Sequence, residues 1–589
     1  MKWIITSVVA VTLIILLLPA PEPIERKPLS VSYTNVTYFD GEQWHENAVL
    51  SIRDGRVVAA NDNSLQQVDM SGKYIIPGLI DAHTHTWGDA LDQALRFGVT
   101  TELDMFTEVS FLQQQQRHRD SLQYTSAADL FSAGTLITSD GGHGSQYAVR
   151  IPTIENAAQA EAFVHARIEE GSDFIKIVYN RNPVYGPYTT ISHDTMAATI
   201  RAAHKFGKLA VVHVSNHDSA LDAVNAGANG LVHTFGDKLA SDELLQAMLD
   251  NQVFVIPTLS VIASMTNAGA NQSLLESKML AEHFNAGSRA ALQQSINASF
   301  VRPDYYTNAM ANTRLMNDKG IVVLAGTDAP NPGTAHGVSM HGEVMLLVAS
   351  GLSIDDALRA ATSNAYSVFG IGERGHLKPG ARADLLVLDL DPREDITHTQ
   401  SFSHVIKNGF LVEAKQETTG QIVTLSDEGV ISQFEHDLGV LNGSEFVATS
   451  DQIAGGTSTA NIEWQAQGCE TPGSLHASGE IQSGFAAPWG GAYLALTDNY
   501  QQGVNLTEYS RLAFNSFGEP GQYAVMFFTP ESVRPYMVAF NVAANCARVQ
   551  IDFAQHTAVD WANVSGIAWV AGQSSGEFTL AIDDIVIEN

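Results

Sequence analysis

The feature that most constrains the fold of this chain is an alternation of short apolar runs and helical stretches between residues 75 and 328. The runs are rich in Val, Ile and Leu, and segments such as 195–206 and 242–251 lie between them with helical periodicity. Strands that are apolar throughout and alternate with helices predict a parallel sheet covered by helices. The runs begin at Ile75, Val99, Gly134, Phe174, Leu209, Gly230, Val253 and Ile321. Eight units over about 300 residues predict a (β/α)₈ TIM barrel, and a doubly wound sheet is the alternative.

The first run ends in a His-x-His pair, His83 and His85, shortly after a bend at Pro77-Gly78. Residues i and i+2 of a strand point to the same face, so the two imidazoles converge at the carboxyl end of the strand. Imidazole is a common ligand of zinc and similar divalent metals. Asp81 is placed to orient a ligand histidine. The pair indicates a metal site, and two histidines on an exposed strand are the alternative.

Four further runs carry a polar residue close to their carboxyl ends, namely Lys176, His213, His233 and Asp328. In a (β/α)₈ barrel the functional side chains lie at this end of the strands. A lysine within an apolar strand is costly to bury unless it is paired or modified. A single histidine there would be an ordinary hydrogen-bonded core residue. Together with His83 and His85, however, these groups at the same relative height predict convergence on a metal centre.

This constellation resembles the amidohydrolase superfamily from about Leu29 to about Asn408. The resemblance is carried by Pro-Gly-Leu-Ile-Asp-Ala-His-Thr-His at 77–85, the strand lysine, the two separate strand histidines, Gly-Thr-Asp-Ala at 326–329 and the stretch 375–389. Within the superfamily the chain is most similar to the imidazolonepropionase-related and Xaa-Pro dipeptidase-like branch. That similarity is carried by 139–144, 173–177 and 340–348.

The resemblance implies two Zn²⁺ ions held by six side chains: one ion by His83, His85 and Asp328, the other by His213 and His233, and both by a carboxylated Lys176. A free ammonium cannot bind a cation, whereas a carbamate can. Asp328 would take a proton from the attacking water and pass it to the leaving amine. Some branches of the superfamily use one metal and lack the lysine, so a site with a single metal is the alternative.

The resemblance also indicates residues that would meet the substrate. His143 lies in a glycine-rich loop, where backbone can approach a ligand closely, and it is implied as a catalytic and substrate-binding residue. Tyr179 would contact a substrate oxygen or pack at the barrel rim. Glu343 is expected on a helix surface, with orientation of a metal ligand as the alternative role. The candidates for binding a substrate carboxylate are Arg150, Arg181 and Tyr188.

The implied reaction is hydrolysis of an amide C–N bond in a small molecule or dipeptide, such as an Xaa-Pro dipeptide or an N-acyl amino acid. The alternatives are an imidazolonepropionase-like hydrolase of cyclic amides and an inactive barrel that binds a glycan or a partner. The chain has 64 acidic against 32 basic residues and a formal net charge of -32. This excess argues against a nucleic acid or an anionic membrane surface as partner.

The N-terminus, residues 1–28, has the layout of a secretory signal, with Lys2 followed by an uncharged apolar run over 3–18. An uncleaved membrane anchor facing the periplasm is the alternative. Both predict an exported protein that works in the periplasm or outside the cell. The two cysteines, Cys469 and Cys546, could then form one disulfide.

The length of 589 residues predicts several domains. A small discontinuous β-sandwich at 29–74 and 375–422 would flank a barrel at 75–374. After a linker at 423–460, alternating strands predict an all-β jelly roll at 461–589. It weakly resembles the galactose-binding-like domain of the complex I intermediate-associated protein family, through 489–493, 506–514 and 578–585. Glycan contact and formation of a homo-oligomer are its candidate roles.

Overall fold

The computed structural model describes residues 26–588 apart from 61–63, 145–150, 183–187, 270, 297, 299–300, 303, 413–428, 435–437, 439–445, 452–457, 470, 483–487, 497–502, 530–534 and 573–574. The apolar run of the predicted signal or anchor lies outside the described residues, so export stays a prediction. In the part of the chain that the structure describes, every helix is too short or too polar to cross a membrane.

Two separated parts of the chain build one small sheet, as the sequence predicts. Its strands are β1 (Val31–Phe39), β2 (Trp44–Arg53), β3 (Arg56–Val58), β4 (Gln66–Asp69), β5 (Tyr74–Pro77) and, much later in the chain, β13 (Leu385–Leu388), β14 (Phe402–Lys407) and β15 (Phe410–Leu411). The order is β15-β14-β13-β5-β1-β2-β3, with β4 beside β1. The predicted β-sandwich is thus one continuous eight-stranded sheet. It has its own core around Val36, Ile75 and Leu385.

The parallel strands that follow close into the predicted barrel. They are β6 (Leu79–Thr84), β7 (Val99–Asp104), β8 (Asp129–Ser132), β9 (Ile175–Val178), β10 (Ala210–His213), β11 (Gly230–Val232) and β12 (Phe254–Ile256). An eighth extended segment pairs with β12 through Val323 and with β6 through Ala329. The backbone N–H of Asp328 also donates to the carbonyl of His83 on β6 over 2.8 Å, so the last segment of the barrel lies beside the first.

One apolar cluster takes side chains from six of the seven regular barrel strands, from Phe174 just before β9 and from the eighth segment, so it fills the barrel interior. Its members include Ile80, Leu103, Phe131, Phe174, Val211, Val232, Phe254 and Leu324. A larger cluster lies between the strands and the surrounding helices. The helices are α1 (Ala90–Arg96), α2 (Val109–Gln116), α3 (Ala160–Glu169), α4 (His193–Lys205), α5 (His217–Asn225), α6 (Asp242–Asp250), α7 (Leu259–Met265), α8 (Gln272–Glu276), α9 (Ala286–Gln293), α10 (Tyr305–Asp318), α11 (Val338–Ser350), α12 (Ile354–Ala360) and α13 (Ser363–Phe369).

The first predicted barrel strand is divided in two by Gly78. The residues up to Pro77 belong to the small sheet, where β5 pairs with β13, and the barrel begins only at Leu79. A side chain at position 78 would collide with Thr100 of β7. The small sheet therefore extends past its predicted end at residue 74, and glycine lets the chain turn into the barrel against the neighbouring strand.

The third barrel strand begins earlier than predicted. The regular strand starts at Asp129, whereas the sequence predicts it from Gly134. The positive φ of Gly134, 59°, bends the chain at that point. The predicted run continues the barrel wall only through Ile137, which pairs with Ile177 of β9. This bend lets one segment contact β7 first and β9 afterwards.

The C-terminal third forms two antiparallel sheets, which confirms an all-β region. The strands are β16 (Val430–Ser432), β17 (Val447–Ser450), β18 (Thr459–Gln465), β19 (Ser474–Ile481), β20 (Gly490–Ala495), β21 (Arg511–Gly518), β22 (Gly521–Phe528), β23 (Tyr536–Val542), β24 (Ala547–Asp552), β25 (Gly566–Ala571) and β26 (Gly576–Glu588). One sheet has the order β18-β19-β26-β21-β24 with β16 beside β26, and the other β17-β20-β25-β22-β23. Phe514, Trp569 and Leu580 are part of their shared core.

The predicted linker at 423–460 is wrong in its extent. Val430 pairs with Val586 of β26, and β17 pairs with β20. Both strands lie in the predicted linker, and its apolar residues Ile431 and Phe446 are buried in the sandwich core. The sequence left open whether the two cysteines pair; Cys469 and Cys546 are bonded, with Cα atoms 5.8 Å apart.

Candidate metal centre

The carboxyl ends of β6 and of the eighth barrel segment bring His83, His85 and Asp328 together. Asp328 Oδ1 lies 3.2 Å from His83 Nε2 and 3.1 Å from His85 Nε2. One candidate ligand atom from each residue lies within 4.8 Å of the other two. The side chains are between 1% and 11% exposed. Two imidazoles and a carboxylate thus converge on one point, as the His-x-His spacing predicts.

His213 and His233 continue this cluster across the barrel mouth. The rings of His213 and His233 meet edge to face with centroids 4.6 Å apart. The centroid of His233 is also 4.8 Å from that of His83. Lys176 is buried at 3% exposure on β9, opposite Val211 of β10. The six predicted ligands are here called the metal centre: His83, His85, Lys176, His213, His233 and Asp328.

The electrostatics of the metal centre favour the protonation states that bind cations. Burial, with a smaller contribution from the charge of Lys176, lowers the pKa of His83 to about 3 against the opposing charge of Asp328. Burial also lowers the pKa values of His213 and His233. For Asp328, burial raises the pKa, but the nearby histidines outweigh burial and the pKa is well below its usual value. Neutral imidazoles and an ionised carboxylate are the forms that bind a metal.

The donor set has atoms that the protein itself leaves unsatisfied. Among the described residues, both ring nitrogens of His83 and Oδ1 of Asp328 are buried without a hydrogen-bond partner. A buried polar atom without a partner costs about 1–3 kcal/mol. A divalent cation would satisfy these nitrogen and oxygen donors, so the residues present fit a metal of the zinc type.

Three residues at or just beyond the strand ends have left-handed backbone, which is rare outside glycine. They are His233 (φ 69°), Thr258 (φ 53°) and Asp328 (φ 59°). Two of them are predicted ligands. The third binds one of those ligands, because Thr258 Oγ1 lies 2.7 Å from His233 Nδ1. Strained backbone of this kind clusters at functional sites and persists only where the surrounding structure holds it.

Asp81 orients the ligands through the backbone rather than through an imidazole ring. Its Oδ1 accepts from the backbone N–H groups of His83 (3.1 Å) and Thr327 (3.0 Å), and its Oδ2 accepts from the Thr327 hydroxyl (2.6 Å). Burial, together with the charge of Glu102, raises the pKa of Asp81 to about 8. This buried carboxyl ties β6 to the eighth segment beside His83 and Asp328.

The structure brings His143 to the metal centre but not Tyr179. The His143 ring stacks on His213 with centroids 4.8 Å apart and meets Tyr188 at 5.3 Å. The hydroxyl of Tyr179 instead donates to Asp222 over 2.9 Å, and its ring belongs to the core between strands and helices. Packing, the alternative role of Tyr179, is what the structure shows.

Two of the three candidates for binding a substrate carboxylate lie within the described residues, and they have different neighbours. Arg181 pairs with Asp218 (3.6 Å) and Asp222 (3.5 Å) of α5, which draws its charge towards that helix. Tyr188 contacts His143 at the metal centre. Arg150 lies outside the described residues. Of the two described candidates, Tyr188 is therefore the one that lies beside the metal centre.

The prediction that Glu343 lies on a helix surface is wrong. Its side chain is fully buried, and it accepts hydrogen bonds at the start of α7. The composition of α11 contained the signal, because a helix that is apolar on all sides is expected to be buried. Glu343 is the one Asp, Glu, Lys or Arg in Val338–Ser350, so a partner for it was to be expected. Thr258 was missed because nothing in its local sequence marks it.

The chain is similar in sequence to a known protein family and to individual bacterial proteins. The model of the amidohydrolase family matches residues 74–412. An uncharacterized protein of Mycobacterium tuberculosis is 26% identical over 355 residues, 59% of this chain and 86% of that protein. A 5-methylthioadenosine/S-adenosylhomocysteine deaminase of Bacillus cereus is 21% identical over 463 residues, 69% of this chain and 97% of the deaminase.

A similar solved structure supports the same fold. The crystal structure of a Xaa-Pro dipeptidase with bound methionine in the active site has a TM-score of 0.51 and 20% identity to this chain, covering 65% of this chain and 100% of that one. At this identity the likeness concerns the fold alone. The family match spans more than half of the chain and includes all the residues of the metal centre. The chain therefore belongs to the amidohydrolase family.

Proposed function

We propose that this protein is a metal-dependent hydrolase that cleaves an amide C–N bond in a small substrate, with Xaa-Pro dipeptides and N-acyl amino acids as the first classes to test. The observation that carries the proposal is the metal centre itself. Burial lowers the pKa values of His83, His213 and His233, the nearby histidines keep the pKa of Asp328 well below its usual value, and His83 and Asp328 have buried polar atoms without hydrogen-bond partners. A protein that used this site only for packing would gain nothing from such groups.

The chain offers ligands for two cations. His83, His85 and Asp328 would hold the first, and His213 and His233 the second. Lys176, carboxylated on its amine, would be shared by both. Burial lowers the pKa of Lys176 to about 7, against the nearby charges of Asp328 and Asp104. A neutral amine is the form that adds carbon dioxide, so this buried position supports the carbamate.

Bound divalent cations supply Lewis-acid activation of a water molecule and of the scissile carbonyl. The chain supplies the proton transfers and the positioning. The ionised carboxylate of Asp328 would accept a proton from the attacking water and then donate it to the leaving amine. Burial lowers the pKa of His143 to about 4, so its ring, stacked on His213, would meet the substrate in the neutral form. Tyr188 contacts His143 and offers a hydroxyl for a substrate carboxylate.

A site with one cation that hydrolyses a cyclic amide is the second candidate. It is favoured by the His83, His85 and Asp328 group, whose atoms lie within 4.8 Å of one another without any contribution from Lys176. In that case Lys176 would remain an unmodified amine. An inactive barrel that binds a glycan or a partner is the third possibility, and the orphaned donor atoms count against it.

The first test is the metal content of the purified wild type and of Lys176→Ala, followed by hydrolysis assays. About two divalent ions per chain in the wild type and fewer in the variant are expected for a binuclear site. His165→Ala is the matched control, because His165 is half exposed on α3 and its loss should leave the metal content unchanged. A folded wild type that binds no divalent metal would overturn the proposal.

Export to an oxidising compartment is part of the proposal, and the disulfide between Cys469 and Cys546 supports it. Labelling of thiols in freshly lysed cells tests this point. The two cysteines should be labelled only after reduction, in protein recovered from the periplasmic or extracellular fraction. Protein that is reduced and confined to the cytoplasmic fraction would contradict export without affecting the proposed chemistry.

A further inference from the structure

Thr258 occupies the position that caps α7, yet its side chain does not cap the helix. It is the residue before Leu259, with φ 53° and ψ 49°, and its side chain makes no capping hydrogen bond. A threonine in this position normally accepts from one of the first backbone N–H groups of the helix. Here its hydroxyl lies 2.7 Å from Nδ1 of His233. Its hydroxyl is thus directed to a residue of the metal centre.

Glu343 of α11 supplies the cap that Thr258 does not. Its Oε1 accepts from the backbone N–H of Leu259 over 2.9 Å. Its Oε2 accepts from the backbone N–H of Ser260 over 2.8 Å and from the Ser260 hydroxyl over 2.7 Å. Glu343, Leu259 and Ser260 are at most 1% exposed. A buried carboxylate from a distant helix therefore satisfies the start of α7.

The backbone of Thr258 needs such support. Left-handed φ is a marked outlier for a β-branched residue, and this state persists only where neighbouring contacts determine it. Glu343 binds the N–H groups of the two residues that directly follow Thr258, so it fixes the peptide that leaves Thr258. Without those bonds, Thr258 could relax and its hydroxyl would lose its direction.

One ring nitrogen of His233 contacts the Thr258 hydroxyl, and the other can face a cation. Nδ1 faces Thr258, which leaves Nε2 as the atom for a cation. The ring lies between those of His83 and His213, and its centroid is 4.8 Å from the first and 4.6 Å from the second. A contact on the far nitrogen of a ligand histidine fixes its orientation and tautomer. The direction of the Thr258 hydroxyl therefore decides how His233 enters the metal centre.

We propose that Glu343 is a positioning residue of the metal centre: by capping α7 it holds Thr258 in the conformation whose hydroxyl orients His233 towards the second cation. The inference rests on the proposed function, because it requires that the protein binds metal at this site. It adds a residue that lies outside the metal centre and acts only through Thr258.

The test measures Zn²⁺ affinity by competition with a chromophoric chelator and records the visible absorption spectrum of the Co²⁺-loaded protein. Thr258→Val removes the hydroxyl and keeps the shape of the side chain, whereas Thr258→Ser keeps the hydroxyl and serves as the matched control. Glu343→Gln replaces one acceptor oxygen by an amide NH₂ group, which cannot accept from a backbone N–H. Thr258→Val and Glu343→Gln should each weaken the second Zn²⁺ about 10- to 100-fold and change the Co²⁺ spectrum, and Thr258→Ser should do neither.

The double variant Glu343→Gln/Thr258→Val distinguishes positioning from general stabilisation. If Glu343 acts through Thr258, Glu343→Gln has little further effect on Zn²⁺ affinity once the hydroxyl is gone. Additive losses would overturn the proposal. So would a Glu343→Gln protein with a lower melting temperature and an unchanged Zn²⁺ affinity and Co²⁺ spectrum.

Glu343→Asp keeps the test decisive if Glu343→Gln does not fold. It retains the carboxylate but shortens the side chain by one methylene, so the carboxylate can no longer reach the backbone N–H groups of Leu259 and Ser260 as it does in the wild type. A weaker second Zn²⁺ in Glu343→Asp supports the proposal, and wild-type affinity and spectrum overturn it. The wild type separates this inference from the proposed function. Failure of the wild type to bind Zn²⁺ ends both, whereas wild-type binding with unaffected variants ends only the role of Glu343.

Discussion

Two buried groups of charged and titratable side chains lie at opposite ends of the barrel strands, and they differ in how they are satisfied. The metal centre lies at the carboxyl ends. The other group lies around the amino end of β8 and is here called the base cluster: Asp129, Arg374, Arg382, Asp384 and Lys407. Lys407 Nζ lies 2.6 Å from Asp129 Oδ2 and 2.7 Å from Asp384 Oδ2. The Nε of Arg374 lies 2.7 Å from Asp129 Oδ2.

The base cluster is neutralised largely within the protein. Asp129 comes from the barrel, while Lys407 and Asp384 come from the small sheet and its flank, so the ion pairs join the two. Burial raises the pKa of Asp129, but Lys407 and Arg374 outweigh burial and the pKa is lowered. In the metal centre, both ring nitrogens of His83 and Oδ1 of Asp328 are buried without a hydrogen-bond partner. In the base cluster, Nε of Arg382 is also without one, but it lies 3.9 Å from Asp384 Oδ2. Buried groups that pair with each other indicate a structural role, whereas buried donors without partners indicate a site for a ligand.

The largest expected effect is on catalysis, from Asp328→Asn. The substitution keeps the shape of the side chain but removes an anionic ligand and the proposed general base. We expect kcat to fall about 10³-fold on whichever amide substrate the wild type hydrolyses best. The unfolding free energy of the metal-free protein should fall less than it does in Asp129→Asn, because Asp328 contacts the imidazoles of His83 and His85, whereas Asp129 pairs with a lysine and an arginine. Steady-state assays and urea unfolding measure the two quantities.

The matched control for Asp328→Asn is Asp129→Asn in the base cluster, which should reverse the pattern. Its kcat should remain close to wild type while its unfolding free energy falls. If Asp328→Asn destabilised the metal-free protein as much as Asp129→Asn does, the distinction between the two clusters would fail.

The next effect is on stability, from Lys407→Met. Lys407 is fully buried, and its loss leaves two buried carboxylates with less positive charge nearby. Breaking a buried ion pair by removing one partner costs about 3–5 kcal/mol, and urea unfolding should show a loss of this size. Lys73→Met is the control, since the Lys73–Asp389 pair is 2.7 Å long but nearly half exposed. An exposed pair contributes about 0–1 kcal/mol, and equal losses in both variants would contradict the assignment.

Metal removal should have a somewhat smaller effect on stability. A ligand that binds only the folded state at 100 times its Kd stabilises that state by about 2.7 kcal/mol. We expect a chelator to lower the unfolding free energy by about this amount relative to protein at that concentration of free Zn²⁺. Lys407→Met should retain the full response to Zn²⁺, and His83→Ala should lose most of it. A response that is lost in Lys407→Met would mean that the two clusters are coupled.

The sequence predicted the site best where a single polar residue lies at the carboxyl end of an apolar strand. The clustering of the six predicted ligands could be anticipated because each polar side chain interrupts an apolar run near its carboxyl end, and the barrel topology then brings these ends together. The alternation of runs and helices predicted the barrel for the same reason. The division at Gly78 and the start of the third strand at Asp129 depend on contacts with neighbouring strands, so they could not be read locally.

Long-range polar contacts were the part of the site that the sequence did not reveal. Glu343 and Leu259 are 84 positions apart, and Lys407 and Asp129 are 278 positions apart. No local pattern pairs such residues. Thr258 likewise gave no signal, because its role depends on a backbone conformation that its residue type disfavours.

The smallest effect that we predict is a dependence of stability on acid pH that belongs to the base cluster. The pKa of Asp129 is lower in the folded protein than its ordinary value of 3.8, because Lys407 and Arg374 outweigh burial. The unfolded state therefore binds more protons as the pH falls below about 4. The stability contributed by Asp129 is present above that pH and is lost as the pH falls through the lowered pKa. Each unit of pKa shift corresponds to about 1.4 kcal/mol.

The stability contributed by Asp129 can be measured by urea unfolding of the wild type and of Lys407→Met at a series of acid pH values. Chelator is present throughout, so that bound metal makes no contribution. Lys407→Met should lose stability less steeply below about pH 4, since the cation that lowers the pKa of Asp129 is gone. Equal slopes would mean that the acid sensitivity arises from other carboxylates. The base cluster would then join the barrel to the small sheet through packing and hydrogen bonds, and its charges would not be what distinguishes it from the metal centre.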